Sequence, residues 1–144
     1  MRIIFILIFT IFSFNVLSHE GATGIIKERM DNFKSSQKKL KQIKNSLNKP
    51  DFETIQILSK ELENWGSEMV NFFPKDSMAS VSNKSQASND IWNNFDRFKQ
   101  LAYNFEKASN NLHQISINED TQNLKEAFYK LANTCSTCHK SFKN

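Results

Sequence analysis

Apolar residues recur at intervals of three and four along four separate stretches of this chain, a spacing that dictates helices. Residues three and four apart share one helix face, so each stretch carries an apolar stripe that has to be buried against a neighbour. The first runs from about Gly24 to Leu47 through Ile26, Met30, Phe33, Leu40 and Ile43, with a gap at Gln37. Asn48-Lys49-Pro50 ends it, because proline disfavours helix at the residue before it and cannot donate within one. Asp51 offers the next N-cap, and Phe52, Ile55, Leu58, Leu62, Trp65, Met69 and Phe72 form an unbroken second stripe closed by Phe73-Pro74. The third runs from about Asp90 to Ile115 through Ile91, Phe95, Phe98, Ala102, Phe105 and Leu112, widened by Trp92 and Leu101. Asn118, with Glu119 and Asp120, supplies a cap and first-turn acids for the fourth: Leu124, Phe128, Leu131, Cys135, Cys138 and Phe142.

No stretch alternates with period two, and only 3 glycines and 2 prolines interrupt 144 residues, which favours long helices over a β fold. Four amphipathic helices joined by mostly short connections predict an all-α, antiparallel up-down-up-down four-helix bundle. One connection is long. From Lys75 to Asn89 the chain is rich in Ser, Asn and Lys without periodicity, with room for a short helical turn and no expected chemistry.

The first eighteen residues read as an export signal and not as part of the fold. Arg2 is the lone charge, Ile3 to Phe14 is apolar, and Val16-Leu17-Ser18 precedes a polar His19-Glu20, which places cleavage after Ser18. The run is shorter than the ~20 residues a membrane span needs. Residues 19–144 remain, enough for one domain with its own core. The formal charge of +4 loses one unit with Arg2, and is too diffuse to imply nucleic-acid binding.

The two cysteines stand together in Cys135-Ser136-Thr137-Cys138-His139. Cys-x-x-Cys-His is the attachment motif of a c-type haem: each thiol adds to a vinyl group, and the adjacent histidine reaches the iron. On a helix Cys135, Cys138 and His139 share one face, so a flat macrocycle can be pinned along it. Because the thiols extend the apolar stripe of the fourth helix, the cofactor belongs in the bundle core. A thioredoxin-like redox pair would sit after a strand in a βαβ pattern, which is missing here, and a structural zinc site would need a fourth ligand. An export signal fits the haem reading, since bacterial thioether attachment occurs outside the cytoplasm.

Four features together resemble one family. The haem motif lies near the C-terminus and is followed by Phe142-Lys143. Phe73-Pro74 closes the second helix, Ile91-Trp92 opens the third with Phe95 and Phe98 after it, and Ile25-Ile26-Lys27-Glu28-Arg29 places an arginine in the first. From residue 24 onward the chain resembles the class II cytochromes c, the cytochrome c′ family. The resemblance implies one covalent haem c on Cys135 and Cys138, with His139 as the axial iron ligand. It implies that Arg29 pairs with a haem propionate, as a guanidinium matches a carboxylate, and that Met30 lines the haem nearby. Low-spin members carry a ligating methionine four residues after that arginine. Here the position is Phe33, which has no lone pair for iron, so the resemblance implies a five-coordinate, high-spin haem open to gases such as nitric oxide or carbon monoxide.

The expected function is that of a periplasmic monohaem protein, not an enzyme, that transfers single electrons to a partner protein or binds small gases. The family habit implies a homodimer. Lys140 and Lys143 flank the motif and are placed to steer an acidic redox partner, although cations also suit a helix C-terminus. Two alternatives remain open at this stage. One is a low-spin electron carrier with Met30 as sixth ligand; Met69, Met78 and His113 are weaker candidates for that role. The other is a haem-free helical module with a disulfide or a metal at the two cysteines.

Overall fold

The computed structural model describes residues 22–80, 83 and 85–144, and the segment read as an export signal lies outside them. Among the described residues the chain forms five α-helices: α1 (Gly24–Asn45), α2 (Phe52–Glu68), α3 (Asp90–Asn93), α4 (Phe95–Ile117) and α5 (Thr121–Phe142). The four long ones make an antiparallel four-helix bundle. No helix among the described residues is long and apolar enough to cross a membrane.

The stripes become the core. Ile43, Ile55, Leu62, Leu112 and Leu131 have no exposed surface, and Phe98 and Leu124 almost none. Asp51 caps α2 as expected, its carboxylate accepting from the Thr54 N–H at 3.1 Å. At the start of α5 the cap is shifted by two residues. Asn118 ends α4, Glu119 adopts a left-handed conformation at φ 50°, and Asp120 accepts from the N–H groups of Gln122 and Asn123. All three residues suit caps and turns, so their spacing alone does not say which of them caps α5.

Two expected helices are also interrupted. The second stripe tightens into a 3₁₀ turn over Met69–Phe72 after α2 ends at Glu68. The third breaks at Asn94, whose backbone turns out of the helix at φ −126° and ψ 48°. There the Trp92 indole N–H donates to the carbonyls of Phe73 and Pro74, at 3.2 and 3.0 Å, which holds α3 against the end of the α2 extension. The apolar period continues through both interruptions because the side chains still face the core.

The long connection contains a second 3₁₀ turn, Lys75–Ser77. It ends beside the C-terminus: Ala87 and Lys143 form an antiparallel bridge, the Ser88 N–H donates to the Phe142 carbonyl at 2.8 Å, and the Asn144 N–H donates to the Gln86 carbonyl at 3.0 Å.

Packing among the long helices is uneven. α2 lies closest to α4, where Gly66 meets the Glu106 backbone so tightly that a Cβ at Gly66 would stand 2.8 Å from Glu106 Cα. α4 also packs extensively on α5, while α1 and α5 barely touch each other. The bundle therefore opens as a wedge between its first and last helices.

Candidate haem site

A cavity of about 470 Å³ fills that wedge, within the range of ordinary cofactor sites. Its α5 wall includes Cys135, Cys138 and His139, and its α1 wall includes Arg29, Met30 and Phe33, so all six expected site residues line one space. Trp65 and Met69 come from the α2 side, Phe98 and Phe105 from α4, and Gln86 and Ala87 from the connection. The lining is mainly apolar, with polar groups along α1 at Arg29, Lys34, Ser36 and Gln37, on the connection at Ser85 and Gln86, and around the α5 motif.

Helix α5 sets out the motif as its spacing demands, with both thiols free and partly buried on the core-facing stripe. Burial pushes both thiols up, Cys138 to about 11 with the neighbouring Cys135 adding to the effect. His139 shifts the other way. Burial, and then the Lys143 charge, hold its imidazole below the ordinary value and so favour the neutral form that ligates metal. Among the described residues, no group of three or more His, Cys, Asp or Glu side chains is arranged to hold a bare metal ion, so the zinc alternative finds no additional ligands.

Arg29 is not a solvated helix charge. It is 2% exposed, and burial lowers its pKa. Nη1 donates to Ser77 Oγ at 2.9 Å and to the Phe72 carbonyl at 3.4 Å; Nη2 donates to the Ser77 carbonyl at 2.9 Å and to Ser85 Oγ at 2.8 Å. The guanidinium also lies over the Phe73 ring, 4.7 Å from its centroid, and 5.8 Å from that of Trp92. These acceptors are all neutral, so a buried cation at the cavity wall is matched by dipoles, and an anionic ligand group would complete its environment.

Phe33 is half-buried and meets Trp65 edge-on, with centroids 5.4 Å apart at 89°, and Phe73 at 6.3 Å. Phe73 in turn packs on Phe98 at 4.6 Å. Met30 also lines the cavity, one turn before Phe33. The weaker sixth-ligand candidates separate: Met69 lines the cavity, Met78 is exposed, and His113 donates from Nδ1 to the Gln56 carbonyl at 3.1 Å in the α2–α4 seam.

Two features of the site escaped the sequence reading. Ser77 and Ser85 lie in the stretch read as a mere connection, and only the pairing of polar residues with a buried arginine would have marked them. Trp65 was read as a core residue, yet its Nε1 is buried without a hydrogen-bond acceptor, the one such side-chain atom among the described residues.

The family profile of cytochrome c′ matches residues 24–143. The chain belongs to the cytochrome c′ family. Cytochromes c′ of known structure share its fold. That of Thermochromatium tepidum superposes with a TM-score of 0.75 at 18% identity, covering 83% of this chain and 93% of that one. That of Rhodopseudomonas palustris gives 0.74 at 21%, covering 85% and 97%. A nitric oxide complex of a variant cytochrome c′ from Alcaligenes xylosoxidans gives 0.73 at 17%, covering 83% and 93%. A search of curated protein sequences found no match.

As a cytochrome c′, the chain is a monohaem protein carrying one covalent haem c. Its own residues fit that group: paired free thiols on a core-facing stripe, a neutral-biased imidazole beside them, and a buried guanidinium lining an apolar cavity.

Proposed function

We propose that this cytochrome c′ is a periplasmic, five-coordinate haem protein that transfers single electrons and binds small gases such as nitric oxide or carbon monoxide. Cys135 and Cys138 would hold the haem through thioethers, and His139 would ligate its iron. Phe33 would stand across the cavity from His139, where an aromatic ring can exclude water but cannot bond to iron. When bound, the haem supplies a reversible one-electron couple and an iron with an open coordination position.

The observation that carries this reading is that His139 and Phe33 stand on the two helices flanking one cavity, so the imidazole and the phenyl ring border the same space. Arg29 is assigned to a haem propionate, because its position at the cavity wall and its purely neutral described partners leave a place for an anion. Met30 lines the haem close to that end. Lys140 and Lys143 are exposed beside the motif and give an acidic redox partner a basic approach. A homodimer is the assembly proposed from the family; one structural neighbour is described as a cytochrome c′ with ligand-controlled dimer dissociation.

Absorption spectra of the haem-loaded protein test the reading. A high-spin Soret band in the reduced state that shifts on adding carbon monoxide is the expected result. Narrow α and β bands that ignore carbon monoxide would replace it with a low-spin carrier ligated by Met30.

A further inference from the structure

We infer that Ser85, in the connection between α2 and α3, is an anion-binding residue of the haem cavity, its hydroxyl donating to the carboxylate that Arg29 neutralises. The inference rests on the assignment of Arg29 to a haem propionate and adds a second donor to it.

A hydroxyl has one proton to donate and two lone pairs with which to accept. Ser85 Oγ accepts from Arg29 Nη2 at 2.8 Å and from the Ala87 N–H at 3.2 Å. Both lone pairs are therefore taken, and its own O–H has no acceptor among the described residues. Ser77, the other serine on Arg29, differs in each respect. Its hydroxyl accepts from Nη1 at 2.9 Å and donates its proton to the Pro74 carbonyl at 2.8 Å. It is buried and takes no part in the cavity wall, whereas Ser85 is only partly buried and lines that wall together with Arg29. Of the two, Ser85 alone has a proton left and borders the space where an anion would lie.

The guanidinium needs such a helper. Its Nη groups donate to Ser77 Oγ, the Phe72 carbonyl, the Ser77 carbonyl and Ser85 Oγ, which leaves the Nε–H as its remaining donor. The two-pronged Nη grip that arginine offers a carboxylate is therefore already taken by neutral oxygens. Ser85 supplies the missing second donor at the same corner of the cavity. Donation from a cation into Ser85 Oγ also polarises its O–H and strengthens the bond that it makes in turn. Lys34 and Lys143 line the cavity too, but both are exposed, so they bring charge at the rim and not a sheltered donor beside Arg29.

The test is the resonance Raman spectrum of the haem-loaded ferrous protein, in which the bending band of a propionate falls when that group loses a hydrogen bond. It is recorded for wild type, Ser85→Ala, Ser85→Thr and Ser77→Ala. Both alanine variants take an acceptor from Arg29, but only Ser85→Ala removes a donor to the carboxylate. One propionate band should fall in Ser85→Ala, hold in Ser77→Ala and be restored in Ser85→Thr. In wild type the same band should move in deuterated water. An unmoved band in Ser85→Ala alone, or equal shifts in the two alanine variants, would overturn the role of Ser85 while leaving Arg29 its propionate. Bands unmoved in both Ser85→Ala and Arg29→Gln would overturn both assignments. Should Ser85→Ala not load haem, the crystal structure of the loaded wild type decides. Ser85 Oγ within about 3 Å of a propionate oxygen is expected there, and a propionate turned away from it overturns the proposal.

Discussion

Arg29 grips Ser77 twice, donating from Nη1 to its hydroxyl and from Nη2 to its carbonyl, each at 2.9 Å across 48 residues of chain. The pair ties α1 to the turn after α2, and the further bond to Ser85 extends the tie to the segment that runs beside the C-terminus. Arginine suits the position because its planar fork reaches several acceptors at once.

Replacing Arg29 with Gln should therefore loosen the connection as well as the cavity. The expected loss is about 2–4 kcal/mol, since buried charge-assisted bonds go and their acceptors lose partners. Arg29→Lys should recover only part of it, because an ammonium cannot span Ser77 and Ser85 together. Denaturant unfolding of the haem-loaded variants, with limited proteolysis of the connection, measures both effects.

Phe33→Met should change the iron's coordination. The side chain at this position lines the cavity with His139, and a thioether there can donate the lone pair that a phenyl ring lacks. The variant should show a low-spin spectrum and lose its response to carbon monoxide. A high-spin spectrum in Phe33→Met would mean that the position does not face the iron.

Gly66→Ala should destabilise the bundle despite the better helix propensity of alanine. That propensity is worth about 1 kcal/mol. Against it, the new methyl group meets the Glu106 backbone at 2.8 Å, and the backbone can yield only by separating α2 from α4. Overpacking of this kind costs roughly 1–3 kcal/mol, and contact with backbone belongs at the upper end. A net loss of about 1–2 kcal/mol is expected by thermal unfolding.

In protein made without haem, Cys138 should react slowly with iodoacetamide. Its thiol is pushed from 9.0 to about 11 by burial and by Cys135, so below pH 9 the thiolate, and with it the alkylation rate, should fall roughly a hundredfold relative to the unfolded chain. The same shift sets a pH dependence. The unfolded thiol ionises first, so its effect is absent below about pH 9 and stability falls as pH rises from there toward the folded value. Alkylation followed by mass spectrometry, and unfolding curves across that range, check the two consequences.

The helices, their apolar faces and the haem motif were legible because they depend on local spacing. A period of three and four marks a buried stripe wherever it occurs, and Cys135, Cys138 and His139 share a face by helical geometry alone. The break at Asn94 and the shifted cap at Asp120 were not legible, since several adjacent residues had suitable chemistry and the packing of Trp92 on the Phe73–Pro74 turn is not a local property. The connection was hardest to read. Ser77 and Ser85 have no periodicity to betray them, and they matter only because folding brings a buried arginine to them.

By itself the sequence determined an all-helical chain with one covalent attachment point facing the core, because both follow from which residues repeat along a helix. Only the tertiary structure decided that Arg29 would be buried against a connecting segment and that Trp65 would hold an unpaired N–H beside Phe33. Those facts depend on where separate helices meet: α1 stands apart from α5 while α2 is drawn tightly onto α4 at Gly66, and distances across a bundle are not written in the spacing along any one strip of chain.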